Sequence, residues 1–338
     1  MVEFKTEFVL AGGYEMKAAR PLWFFPAIVC LASLSAVAQA ENTAGTLKPG
    51  SHELSFQHGG LERTYLLHIP PQHDGTKLLP LVMFFHGGMG TAKHAEGAYG
   101  WSEKADKEGF LVVYGNGTGR FQTWNAMHGC GSAFKNNVDD IGYVKTLLQE
   151  LTTKINVDTR RIYATGMSNG AMLTHRLAAE MSDVFAAAAP VAGSIGGKEN
   201  AGATEKQIPE PKNPVPMMII HGKEDKNVRY EGGETSAGVE KGRIDLSVAD
   251  AAAFWKKANR CTDAPKKETS KDGLIIQELY PSEAGADVLL VTIMDGGHAW
   301  PGSKKARRFL GGSASDFSAT DAAWEFFKKH TKTRDTKN

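Results

Sequence analysis

Six continuous apolar runs limit what this chain can fold into: residues 79–85 (LPLVMFF), 110–114, 161–165, 185–191, 215–220 and 288–294. A strand that is apolar along its whole length has to be covered on both faces, and a parallel sheet between layers of helices provides that cover. Helical patterns lie between the runs, at about 101–107, 139–155, 170–181, 246–258 and 319–329. Strand and helix therefore alternate, which predicts a mostly parallel, doubly wound α/β sheet. Two β-rich segments, 53–57 and 63–69, come first and are joined by His58-Gly59-Gly60, so an N-terminal antiparallel hairpin should edge the sheet. Two polar, glycine-rich segments, 193–214 and 229–243, follow the C-terminal ends of expected strands, where open α/β sheets hold their ligands. They are candidates for the rim of a site.

The 338 residues carry 39 Lys and Arg against 38 Asp and Glu, a net charge of +1. That balance offers no long-range field for phosphates, and no basic run interleaves with aromatics, so nucleic acid is excluded as a partner. A chain of about 300 residues buries about three quarters of its unfolded surface and needs no metal or disulfide to hold its core.

Residues 21–37 (PLWFFPAIVCLASLSAV) are apolar, preceded by Lys17 and Arg20 and followed by Ala38-Gln39-Ala40. This order of basic, apolar and small-x-small segments is that of a secretory signal peptide cut after Ala40. Met16 stands just ahead of the basic pair, so translation is expected to start there, with residues 1–15 an upstream extension. The protein is then secreted or periplasmic, with no stable membrane insertion after cleavage. A single anchoring helix is the alternative, opposed by Pro26 and by the shortness of the run. Lipid attachment at Cys30 is another, opposed by the bulk of Val29. Cys30 leaves with the signal, and Cys130 and Cys261 remain in an oxidising compartment, where they are expected to pair. Closing so long a loop stabilises by about 4 to 5 kcal/mol in the chain-entropy account. Two buried free thiols are the other reading.

The chemistry centres on Gly166-Met167-Ser168-Asn169-Gly170, which lies between the strand RRIYAT and a helix beginning AMLTHRLA. G-x-S-x-G in a strand-turn-helix setting is the nucleophile elbow: its glycines allow a tight turn that presents the serine hydroxyl at the sheet edge. A serine hydroxyl becomes nucleophilic only beside a base, and the base needs an orienting carboxylate. In this arrangement the chain order is Ser, Asp, His. Asp225 follows the strand VPMMIIHG and His298 follows VLLVTIMDGG, both at the edge where Ser168 emerges. Glu224 and Asp295 are adjacent alternatives for the carboxylate. His330 reads as solvated surface and His221 as a structural histidine. One oxyanion donor is then the backbone N–H of Asn169, and the others come from the loop His86-Gly87-Gly88-Met89-Gly90, through Gly87, Gly88 and Met89.

HGG, TWNAMHGCG followed by NVDDIGYV, GMSNGAM, HGKEDKNVRYEGG, FWKKANRC and GGHAWPG together resemble the polyhydroxybutyrate depolymerase-like esterases, an α/β-hydrolase branch that includes feruloyl and acetylxylan esterases. The motifs run from about residue 60 to 330. The resemblance implies an α/β-hydrolase fold in a single catalytic domain, 41–338, with Ser168, Asp225 and His298 as its triad. It places Trp124 close to the active site, where His86 and Trp300 are also expected to bind substrate. It matches Cys130 and Cys261 to cysteines the family uses in disulfides. Two departures stand out: Gly129 precedes Cys130 where the family often has adjacent cysteines, and Lys226 and Arg229 stand where it often has proline.

No HExxH, paired CxxC or phosphate loop occurs, and Gly115-Asn116-Gly117-Thr118-Gly119 lacks the lysine of a P-loop, so no cofactor and no metal are expected. Asp139 and Asp140 read as caps of the helix that follows. The expected substrate is a neutral ester, first a short polyhydroxyalkanoate or related ester, with feruloyl or acetyl groups on plant polysaccharide as the alternative. A peptidase on the same fold and a non-catalytic binding protein are the remaining classes.

Overall fold

Each of the six apolar runs becomes a strand of one ten-stranded sheet in the computed structural model, which describes residues 47–128, 131–235, 242–303 and 316–333. The hairpin is β1 (Gly50–His58) and β2 (Leu61–Ile69), followed by β3 (Leu79–Phe85), β4 (Leu111–Gly115), β5 (Val157–Met167) and β6 (Ala187–Val191). Two short strands, β7 (Gly196–Lys198) and β8 (Lys206–Gln207), precede β9 (Met217–Gly222). Next come two more short strands, β10 (Gly233–Glu234) and β11 (Ile244–Asp245), and finally β12 (Lys266–Thr269), β13 (Ile275–Tyr280) and β14 (Val288–Ile293). The large sheet runs β1-β2-β4-β3-β5-β6-β9-β14-β13-β12. It is parallel from β4 to β14. The hairpin pairs antiparallel at one edge, as expected.

Antiparallel β13 and β12 form the opposite edge, which the apolar runs do not predict. Lys266–Thr269 (KKET) is exposed throughout and Ile275–Tyr280 is mostly half-buried, so neither shows the apolar run that marks a central strand.

The helices are α1 (Ala92–Tyr99), α2 (Trp101–Glu108), α3 (Gly131–Lys135), α4 (Asp140–Lys154), α5 (Asn169–Glu180), α6 (Val248–Asn259) and α7 (Ala319–Phe327). Side chains of α4, α5 and α6 join one buried cluster, with Leu147, Leu173 and Trp255 among them. Those of α1, α2 and α7 join a second, with Ala95, Trp101 and Phe327. The sheet is thus covered on both faces. α1 was not expected: it is short and buries only alanines, and its ends are set by the Thr91 cap and a left-handed Gly100. The two glycine-rich segments supply β7, β8 and β10, which with β11 just beyond the second form a small antiparallel sheet, β10-β11-β7-β8.

The expected leader lies outside the described residues. Among those described, no helix is long and apolar enough to cross a membrane. Cys130 is also outside them, while Cys261 carries a free, half-buried thiol with its Sγ 3.8 Å from the Ala286 carbonyl oxygen.

The adjacent aspartates at the start of α4 do different work. Asp139 caps the helix, accepting from Gly142 N–H at 2.8 Å. Asp140 does not cap: it is fully buried, paired with Arg63 at 2.7 Å and accepting from Asn125 N–H at 2.7 Å. The Arg63 guanidinium lies 3.8 Å from the centre of the Tyr143 ring. Removing one member of a buried pair leaves the other as an uncompensated charge. Asp140→Ala is therefore expected to destabilise the fold by about 3 to 5 kcal/mol, read by urea unfolding; a loss under about 1 kcal/mol would mean that Arg63 finds other compensation.

Candidate active site

Ser168 sits where β5 turns into α5, with φ 55° and ψ −121°. Such a conformation is costly for a side-chain-bearing residue and persists because the surroundings enforce it. A Cβ on Gly166 would lie 2.6 Å from the Gly170 and Phe85 carbonyl oxygens, and one on Gly170 would collide with the carbonyls of Phe85 and His86. Both glycines are needed for the elbow to pack against the end of β3. Ser168 N–H is anchored to the Val191 carbonyl at 3.0 Å.

Two loops from neighbouring parallel strands complete the line. Asp225 follows β9, and His298 follows β14. Close glycine packing joins the loops: a Cβ on Gly296 would lie 3.1 Å from Gly222 Cα, and Glu224 N–H reaches the Gly296 carbonyl at 2.9 Å. The structure brings the three expected side chains together, with Ser168 Oγ 2.9 Å from His298 Nε2 and His298 Nδ1 2.7 Å from Asp225 Oδ2. The alternative Glu224 is exposed instead, and His330, expected to be solvated surface, is half-buried just past the last helix, where its ring packs on Phe326.

Asp225 Oδ1 accepts the backbone N–H groups of Asn227 and Val228 at 2.8 and 3.0 Å. His221, read from sequence as structural, is buried at the base of the same loop. Its Nε2 donates to the Val228 carbonyl at 2.8 Å and stands 3.4 Å from Asp225 Oδ2. Burial by itself would raise the Asp225 pKa; the charge of His298 and hydrogen bonds from His221 and His298 outweigh it and hold the carboxyl well below the usual carboxylate range. The only sequence signal of this role was the four-residue step from His221 to Asp225 at a strand end.

Gly87 lies against the nucleophile: a Cβ there would be 3.3 Å from both Ser168 Cβ and the Met167 carbonyl oxygen. Asn169 opens α5, whose first-turn N–H groups have no partners within the helix and whose dipole favours negative charge. Its side chain clasps the Trp124 backbone, accepting from Trp124 N–H at 2.7 Å and donating to the Trp124 carbonyl at 3.1 Å.

Four expectations are corrected. Met89 N–H, assigned to the oxyanion, is turned by a φ of 66° onto the carbonyls of Phe121 and Gln122, at 2.9 and 3.1 Å. Trp124 is fully buried and donates its indole N–H to the His86 carbonyl at 2.9 Å, so it supports the glycine loop and offers substrate no wall. His86 is also buried: Nδ1 donates to the Gly87 carbonyl at 2.7 Å and Nε2 accepts from Gly117 N–H at 3.0 Å. Desolvation lowers its pKa to about 4, so at neutral pH it is an uncharged brace. Trp300 lies in an aromatic cluster with Phe84, Tyr99 and Trp101, its indole N–H on Thr320 Oγ1 at 3.1 Å.

A mostly parallel sheet, a strained serine at a strand-to-helix turn, and an Asp and a His on the loops after two later parallel strands define the α/β-hydrolase class. Residues 63–257 match the family described as Esterase PHB depolymerase, and the chain belongs to that family. Feruloyl esterase B of Piromyces equi is 30% identical over 240 residues, which are 70% of this chain but 42% of that protein. The putative esterase NocK of Nocardia uniformis subsp. tsuyamanensis is 27% identical over 285 residues, 79% of each chain. Among solved structures, the acetyl xylan esterase from Aspergillus awamori shares the fold, with a TM-score of 0.53 and 15% identity over 82% of this chain and 99% of that one.

Proposed function

We propose that this protein is a serine carboxylic ester hydrolase that works through an acyl-enzyme. The observation that carries this reading is the hydrogen-bonded line from Ser168 Oγ through His298 to Asp225, set at a strained turn. His298 Nε2 takes the hydroxyl proton as Ser168 Oγ bonds to the ester carbonyl carbon, and the carbonyl oxygen becomes an oxyanion. The N–H of Asn169 and those of the Gly87-Gly88 segment are the donors assigned to it. Collapse breaks the bond to the alcohol oxygen, which leaves with the proton from Nε2. Water, deprotonated by His298, then attacks the acyl-enzyme and releases the acid.

The substrate is a neutral ester. Hydroxyalkanoate esters, and feruloyl or acetylxylan esters, are the two classes that relatives' names support. Export rests on the order Lys17 and Arg20, apolar run, Ala38-Gln39-Ala40. The test of the reaction is covalent: a fluorophosphonate should add once, on the peptide that carries Ser168, and p-nitrophenyl acetate should compete. Addition at another serine, or none, overturns the reading.

A further inference from the structure

Large apolar side chains at the tips of tight turns are unusual, because turn positions favour Gly, Pro, Asn, Asp and Ser. Residues 118–123 form such a turn. Thr118 and Thr123 exchange backbone hydrogen bonds at 3.0 Å, and Gln122 N–H closes onto the Gly119 carbonyl at 3.1 Å, which leaves Arg120 and Phe121 at the tip. Phe121 is 61% exposed there. Met89 is 60% exposed, and its N–H is the group that docks on the Phe121 and Gln122 carbonyls. Two of the four residues with large exposed apolar side chains among the described residues are thus joined through one backbone junction.

That junction is tied to the nucleophile by two routes. Met89 directly follows Gly87 and Gly88, and Gly87 lies against Ser168. The turn runs into Trp124, whose backbone is held by Asn169, the residue after Ser168. The strain also gathers here, with positive φ at Met89 and at Gln122. Exposed apolar side chains whose backbone is tied to a reacting centre offer surface that a bound ligand can bury.

We propose that Met89 and Phe121 form an apolar rim that holds a flat aromatic group of the ester, a specificity element that rests on the esterase reading above. A Phe ring and a Met thioether both reward an aromatic partner beyond the area they cover, through offset or edge contacts and through sulfur–ring contact. An aliphatic group of equal size gains only the area. The rim therefore selects aromatic over aliphatic esters.

The test separates binding from turnover. In a Ser168→Ala background, the Kd of methyl ferulate and of an aliphatic methyl ester of similar size are measured by calorimetry, with and without Phe121→Ala or Met89→Ala. Phe121→Ala is expected to weaken methyl ferulate about fivefold and Met89→Ala about threefold, with smaller losses for the aliphatic ester. Leu78→Ala, at an exposed apolar position outside the turn, is the control and should change neither. Equal losses for both esters, no loss, or no binding of methyl ferulate overturns the rim. Failure of the fluorophosphonate test overturns the esterase reading and leaves this binding measurement to be judged by itself.

Discussion

Replacing Ser168 with alanine is expected to lower kcat for p-nitrophenyl acetate by about a million-fold while the fold persists. Among the described residues the hydroxyl has one partner, His298 Nε2 at 2.9 Å, and it gives α5 no side-chain cap. Alanine would bear the same positive φ at about the same cost, since both residues carry a Cβ. Loss of the nucleophile with an intact elbow should leave only the weak rate enhancement that oxyanion donors and substrate positioning provide, about a thousandfold over water. Initial rates, paired with a thermal melt that matches the parent, are the measurement. Turnover within tenfold of the parent would show that Ser168 Oγ is not the attacking atom.

The elbow was legible because every feature it needs is local: two glycines, a serine, a preceding apolar strand and a following helix. The loops of Asp225 and His298 were legible for a related reason. In a parallel sheet all strand C-termini share one edge, so chain order and strand ends were enough to place them. The glycine loop lies against Ser168, as chain order suggested, but which of its N–H groups face the nucleophile was not legible. Whether Met89 N–H points at the nucleophile or at residue 121 depends on one backbone angle, and no residue pattern reports it.

The aromatic and charged side chains around the site were harder still. Trp124 and Trp300 stand beside site motifs in the sequence, but each donates its indole N–H to an interior partner far along the chain, the His86 carbonyl and Thr320 Oγ1. Asp140 looked like a cap because it begins a helix. Its partner Arg63 is 77 positions away on the hairpin, and only the folded sheet brings them together. The edge strands β12 and β13 escaped notice because exposure removes the apolar signal on which strand reading depends.

Asp225→Asn is expected to reduce kcat by about ten-thousandfold through the tautomer of His298. An asparagine oxygen can keep the two N–H groups of Asn227 and Val228 that Oδ1 accepts now, which turns the amide nitrogen toward His298. That nitrogen is a donor, so His298 Nδ1 has to accept, and the ring proton moves to Nε2. A protonated Nε2 cannot take the proton of Ser168 Oγ. The imidazolium that forms as Oγ attacks also loses its carboxylate. The change should therefore appear in kcat and in the rate of acyl-enzyme formation, with little effect on substrate affinity. A second signature concerns acid stability. The folded Asp225 pKa lies below its unfolded value near 4, so the ionised carboxylate stabilises the fold above about pH 4, and that contribution is lost as pH falls below it. The asparagine variant has no such proton to gain, and its stability should fall less steeply from pH 5 to acid than the parent's, at about the same m-value in urea. A kcat within tenfold of the parent would mean that His298 is oriented without Asp225, and would move attention to His221 and the backbone of its loop.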